Sequence, residues 1–413
     1  MILRAGQSRV IRNAAMLYAM TAAKIVLPLM VLPYLTRVLS KDCYGVVAYV
    51  KSLMAFAQVA VDFGFMLSAT KDVAIAGADK EKISDIIGDV LVARLLLAFV
   101  VGVGIFAVAI NIPLLKGMIL FTMLNFVVVA LTVFLFDFLF RGIEEMSVIT
   151  SRYVIMRSIA VALTFLFVRS DADLMMLPLL DIVGSVVAIG FVWREVRKRG
   201  FTLRYSGIRA ALRKIVGSAV YFVSNAAATV FNALCTLLVG VFLPLEQVAD
   251  WSLSMQLVGV VQVFYSPIAE SLYPHMIKNR DFRFAKFVLV FFLSAVAVGC
   301  VFVWFSAEFL MTIAGGEKYR CAAPLFRALI PVLFFSFPAI LFGWPMLGAI
   351  GRVRETTMTT VMSGGFQILG MAVLTLVGAF SVFNLAFLRG ATEALLWGSR
   401  CWMFCKFRNR RAE

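Results

Sequence analysis

Residues 13–72 read NAAMLYAMTAAKIVLPLMVLPYLTRVLSKDCYGVVAYVKSLMAFAQVAVDFGFMLSATKD. Two apolar segments of membrane-spanning length flank the polar turn Thr36-Arg37-Val38-Leu39-Ser40-Lys41-Asp42, and Lys24, Lys51 and Asp62 interrupt them. A run of about 20 apolar residues crosses a hydrocarbon core of about 30 Å. An ion within such a run is costly unless it faces protein or trapped water, so each one points to function. The stretch therefore specifies membrane helices and, along with them, a polar interior.

The rest of the chain repeats the pattern. Its 413 residues are 62% hydrophobic and 15% charged, with a mean hydropathy of +0.96. That is too apolar for soluble domains. Twelve helices are expected near 14–36, 45–69, 84–110, 117–140, 148–168, 174–193, 215–243, 251–272, 284–305, 324–348, 358–380 and 384–404. The predicted fold is an all-α polytopic membrane protein in two six-helix lobes.

The net charge of +16 and pI near 9.9 suit nucleic acid in a soluble protein. Here the basic residues concentrate in alternate loops and at both ends, which is the positive-inside pattern, and nucleic acid is not expected as a partner. Both termini are assigned to the cytoplasm, and the first apolar run, behind Arg4, Arg9 and Arg12, to a retained helix rather than a cleaved signal. The basic connection from Arg194 to Lys214 divides the chain nearly in half. Residues 201–214 are accordingly read as a cytoplasmic linker between an N-terminal lobe, 1–200, and a C-terminal lobe, 215–413. Asn13-Ala14-Ala15 and Asn225-Ala226-Ala227 open corresponding helices in the two halves, as in a parallel repeat, and the substrate cavity is expected between the lobes. Six scattered cysteines and one histidine give no metal or disulfide framework.

Three helices carry polar stripes. At about 100° per residue, Lys51, Gln58 and Asp62 share one face, as do Asn225, Thr229, Asn232 and Thr236, and Arg389, Glu393 and Arg400. Packing by interhelical hydrogen bonds competes with cavity lining for the Asn/Thr stripe, and a simple i,i+4 ion pair competes for Arg389 with Glu393. Pro28, Pro274 and Pro331 lack the N–H that would bond the carbonyls of Lys24, Glu270 and Arg327, so they are candidate bending points beside charges. The intramembrane cations Lys24, Lys51, Arg94, Arg327 and Arg389 are expected to bind an anionic substrate, since Arg grips phosphate in two-pronged fashion. Asp62 and Glu270 are the carboxylates best suited to carry a coupling proton.

Several segments carry a resemblance. Pro28-Leu29, Leu32-Pro33-Tyr34-Leu35-Thr36-Arg37-Val38-Leu39, Tyr44-Gly45, Val61-Asp62-Phe63-Gly64-Phe65 and Ser68-Ala69-Thr70 resemble the opening of the O-antigen flippases called Wzx. These form the polysaccharide-transporter branch of the superfamily that includes the MATE exporters. Phe140-Arg141-Gly142-Ile143-Glu144 resembles the family's Phe-Gln-Gly-Ile-Glu turn, with Arg141 in the Gln place. Phe222-Val223-Ser224-Asn225, Ser266-Pro267 and Leu272-Tyr273-Pro274-His275 resemble its second half.

The resemblance implies a MATE-like, non-enzymatic flippase in the bacterial inner membrane. Its substrate would be an undecaprenyl-pyrophosphate-linked oligosaccharide moved by alternating access, with H+ or Na+ coupling and no cofactor. Membrane lipid, a polymerase and a chain-length regulator are the implied partners. Two other classes fit less well. A MATE-like exporter of another, cationic solute calls for an acidic cavity, and a membrane polymerase calls for larger loops on the far side.

Overall fold

In a computed structural model, which describes residues 2–279 and 281–409, the chain is helical throughout, with no strand among the described residues. Ten helices there are long and apolar enough to cross a membrane. The chain is a multi-pass membrane protein. The expected count of twelve is not reached by this measure. Val382–Asn409 carries Arg389, Glu393 and Arg400, and several side chains of Ile208–Phe242 lie outside the described residues.

Two compact units divide the chain, Met1–Leu237 and Leu238–Glu413. The division falls inside the continuous helix Ile208–Phe242. In the first unit, the helix Ile2–Val38 runs through Pro28 and Pro33 without interruption and meets Met146–Phe167, where Thr150 donates to the Met16 carbonyl at 2.9 Å. Ser40 starts the next helix, Lys41–Asp62, by accepting from the Cys43 N–H at 3.3 Å. Such a cap satisfies one of the donors that every helix start leaves open.

The second span, expected as one helix, is broken. It ends at Asp62, turns through Phe63 (φ 41°) and Gly64 (φ 79°), and resumes as Phe65–Ala76. Gly64 meets two demands there. Its left-handed backbone disfavours a side chain, and an added Cβ would lie 2.6 Å from the Tyr221 Cβ. The fourth span breaks likewise, Ile119–Leu131 passing into a 3₁₀ turn, Thr132–Leu135, and restarting as Asp137–Gly142 after Phe136 at φ 46°. Neither break has a proline.

The first unit's core gathers Phe65, Ile87, Phe136, Leu139, Phe140 and Val192. That of the second gathers Tyr265, Phe337, Leu341, Met346, Leu347 and Phe404. Outside them the surface is apolar. Phe287, Phe291, Phe302, Phe305 and Phe309 on Phe282–Gly315 are exposed, as suits a helix facing lipid tails.

Residues 201–207 are not a free linker. The Thr202 N–H donates to the Ser84 hydroxyl at 3.2 Å, the Arg204 N–H to the Ser84 carbonyl at 3.3 Å and the Ser206 N–H to Asp89 at 3.0 Å. The segment is a strap laid along the first turns of Lys80–Asn111, and Gly88 makes room for it. A Cβ at Gly88 would sit 1.8 Å from the Arg204 carbonyl oxygen.

Candidate functional site

Among the described residues, the spans of the first unit hold three arginine–aspartate pairs. Arg94 on Lys80–Asn111 is paired with Asp62, and also points to the Val133 carbonyl at 3.5 Å in the 3₁₀ turn. The Gln58 amide donates to Asp62 at 2.8 Å and to Thr132 at 3.1 Å, which ties three spans together at the two helix breaks. Asp137 takes Arg152 at 2.5 Å, and Asp181 takes Arg157 at 3.2 Å. Pairing is what makes such ions tolerable, because a lone charge at low dielectric carries a desolvation cost that its partner offsets.

Other cations stand outside these pairs. Lys24 and Lys51 are exposed on their helices, and among the described residues neither has a carboxylate within 4.0 Å. Lys24 holds its ammonium 5.6 Å from the Tyr153 ring centroid, a cation–π contact that leaves the charge available. It lies in electrostatic range of Asp137, Arg152 and Arg141. Lys51 lies in range of Asp181 and Arg157. Each free lysine therefore stands beside one neutralised pair. Arg141 adds a further cation, with its Nε buried and without a hydrogen-bond partner, on the short helix Asp137–Gly142.

In the second unit the expected residues fall into separate groups. Arg389 and Glu393 form a buried i,i+4 pair at 3.1 Å. Next along the same helix, Arg400 donates to the Ala339 carbonyl at 2.5 Å, Thr360 at 2.9 Å and Thr359 at 3.3 Å. It thus fills the distortion at Gly343, whose ψ of −116° interrupts Phe342–Gly348 beside Pro345. Arg327 donates to the Trp304 carbonyl at 3.0 Å and to Glu308 at 3.4 Å, and Glu308 also holds Arg320 at 3.1 Å. Pro331 sits in the first turn of Ile330–Leu341, where its missing N–H costs nothing, and an added Cβ on Gly390 would lie 2.9 Å from the Pro331 Cβ. Glu270 is exposed on Tyr265–Asn279. On Ile208–Phe242, within the first unit, Thr236 is buried, whereas the side chains of Asn225, Thr229 and Asn232 lie outside the described residues, as does that of Pro274 in the second. Among the described residues, no cluster of three or more His, Cys, Asp or Glu side chains could hold a metal.

Residues 10–280 match the family described as "Polysaccharide biosynthesis protein". The chain belongs to that family. A relative from Escherichia coli K12, described as "Putative O-antigen transporter", is 22% identical over 397 residues, covering 93% of this chain and 94% of its own. Among solved structures, the lipid II flippase MurJ in an inward closed conformation aligns with a TM-score of 0.76 at 11% identity, over 95% of this chain and 87% of its own. A mutant of the Vibrio cholerae MATE transporter VcmN gives 0.61 at 14% identity, over 98% of both chains. At those identities the likeness is one of fold alone, and this family member shares its fold with both.

The family member's sequence alone did not single out Arg152, the partner of Asp137, or Thr359 and Thr360, which accept from Arg400, or Gln367. The Thr392 hydroxyl donates to Gln367 at 2.5 Å. A signal was present for one of the breaks, in Gly343 followed closely by Pro345 inside an apolar run. Nothing in spacing pairs Arg152 with Asp137, because a loop turn separates their helices.

Proposed function

We propose that this protein is a flippase that moves undecaprenyl-pyrophosphate-linked O-antigen repeat units across the bacterial inner membrane by alternating access. The observation that carries the reading is the pair of accessible lysines, Lys24 and Lys51, left after three arginine–aspartate pairs have neutralised one another. A membrane interior with surplus fixed cations suits an anion such as pyrophosphate, and disfavours the cationic solute of an alternative exporter. Family membership and the Escherichia coli relative's description support the same substrate class.

In this reading Lys24 and Lys51 hold the pyrophosphate, and Arg94, Arg327 and Arg389 are recruited from their resting partners. Asp62, which holds Arg94 at rest, is one candidate for the coupling ion. Glu270 is the second candidate for the coupling ion, H+ or Na+. Pro28, Pro274 and Pro331 are the bending points, and Asn225, Thr229, Asn232 and Thr236 line the passage. The lobes are 1–200 and 215–413, joined through 201–214, with both termini in the cytoplasm. The protein is a transporter rather than an enzyme, and it hands its product to the polymerase and chain-length regulator of the same pathway.

Deletion in a host with an intact polysaccharide pathway and no redundant flippase tests the assignment. Lipid-linked repeat units should accumulate on the cytoplasmic leaflet while surface polymer disappears. Normal periplasmic polymerisation in the deletion strain would refute it.

A further inference from the structure

Beside the helix Phe65–Ala76, a cavity of about 180 Å³ opens against the start of Ile208–Phe242, and none of the three arginine–aspartate pairs lines it. Its lining includes Ser68, Lys71, Asp72, Arg213, Lys214 and Ser218. We propose that this cavity binds a phosphate group, and that a phospholipid headgroup supplies it. The inference is independent of the transported substrate.

Charge selects the ligand's sign. Lys214 is neutralised by Asp72, but neither Lys71 nor Arg213 has a carboxylate within 4.0 Å among the described residues. Arg213 donates only to the Arg209 carbonyl in its own helix, at 3.4 Å, so its guanidinium has donors to spare.

Shape selects its size. The Lys214–Asp72 pair and the Ser68 and Ser218 hydroxyls, 2.6 Å apart, cross-tie the two helices, and the strap at 201–207 anchors the segment before them. The walls are thus fixed before a ligand arrives, which lowers the ordering cost of binding. Gly217 leaves the lining open, since an added Cβ there would meet nothing within 4 Å. The space equals roughly six waters at about 30 Å³ each, enough for one phosphate. It falls short of the roughly 300 Å³ at which sites for whole organic ligands begin.

Surroundings select a lipid over the free ion. Leu212 and Val216, flanking Arg213 and Gly217 on the same helix, are 50% and 75% exposed and offer an apolar track for acyl chains. The adjoining segment Arg194–Lys214 is strongly basic, as expected where a protein meets anionic headgroups at the cytoplasmic surface.

The test uses the full-length protein in detergent, titrated with phosphatidylglycerol or phosphatidylcholine and read by native mass spectrometry. A parallel arm adds inorganic phosphate and reads thermal stability. Phosphatidylglycerol should be retained about tenfold more tightly than phosphatidylcholine. That preference should vanish in Lys71→Gln/Arg213→Gln and in Gly217→Phe, and persist in the charge-matched control Lys278→Gln/Lys286→Gln. Stabilisation by inorganic phosphate alone, lost in the same two variants, would keep the phosphate site but overturn the lipid as its occupant. Equal retention of both lipids by the wild-type protein and both cavity variants, with no phosphate effect, would overturn the proposal. Should Gly217→Phe fail to fold, the exposed pair Lys71 and Arg213 answers the question alone.

Discussion

Arg94 and Asp62 form an ion pair between two membrane helices, at the point where the second span breaks. The pair makes the structural and functional parts of Arg94 separable. Arg94→Ala or Asp62→Ala alone leaves an uncompensated charge and should destabilise the protein by about 3–5 kcal/mol. Arg94→Leu/Asp62→Leu should cost clearly less than the sum of its singles, with a coupling of about 1–3 kcal/mol. Unfolding in mixed SDS and neutral-detergent micelles measures both. Additive losses would mean that the pair is not a unit.

Arg400 anchors the second unit. Its guanidinium serves the Ala339 carbonyl, Thr359 and Thr360 at once. Arg400→Ala should therefore lower stability by about 2–4 kcal/mol, by orphaning a buried carbonyl and opening a void beside Gly343. Arg400→Lys should recover only part of it, because an ammonium cannot reproduce the planar fork. Full recovery by lysine in the same unfolding assay would refute that geometry.

The strap at 201–207 depends on the absence of a side chain at Gly88. Gly88→Val should lift it and free the backbone at Arg199 and Arg204 for trypsin, raising the cleavage rate there roughly tenfold, as local opening would. Arg199 has its own tether. Burial opposes its charge, but Glu145 and Glu195 outweigh that and hold its guanidinium above the usual range. Unchanged proteolysis in Gly88→Val would show that the strap yields without detaching.

A pH effect is expected at the start of Lys80–Asn111. The backbone N–H of Lys82 donates to Asp79 and, together with the Lys82 ammonium, holds that carboxyl below the usual carboxylate range. A depressed pKa means that stabilisation is complete above the unfolded value, about 3.9, and is lost as pH falls through the folded one. Amide exchange of Lys82 and Ile83 should thus be protected at neutral pH and rise relative to mid-helix amides below about pH 4. Asp79→Ala should show the fast exchange at every pH. A pH-independent ratio in the wild-type protein would contradict the cap.

The spans were legible because an apolar run long enough to cross a bilayer has few alternative readings. So were Lys24, Lys51, Asp62 and Arg94, since charges are conspicuous in such runs. Which of them stand free was not legible. Arg94 meets Asp62, and Arg152 meets Asp137, only through the way their helices pack. Proline drew attention to Pro28, yet Ile2–Val38 continues through it, while the breaks at Phe63–Gly64 and Thr132–Phe136 come from left-handed residues within apolar sequence. The strap was hidden for a related reason, as a lone glycine such as Gly88 does not reveal which backbone approaches it.

The proposed function makes Lys24 and Lys51 the cations that first take the substrate's charge, with the paired arginines recruited after them. Its most direct test is the amount of surface polysaccharide in a flippase-deleted host complemented with Lys24→Ala/Lys51→Ala, at matched membrane levels of protein. Both side chains are exposed, so the variant should insert and fold normally, while export falls by about tenfold or more for the loss of two charge-assisted contacts. Undiminished export from the double variant at normal protein level would contradict the account.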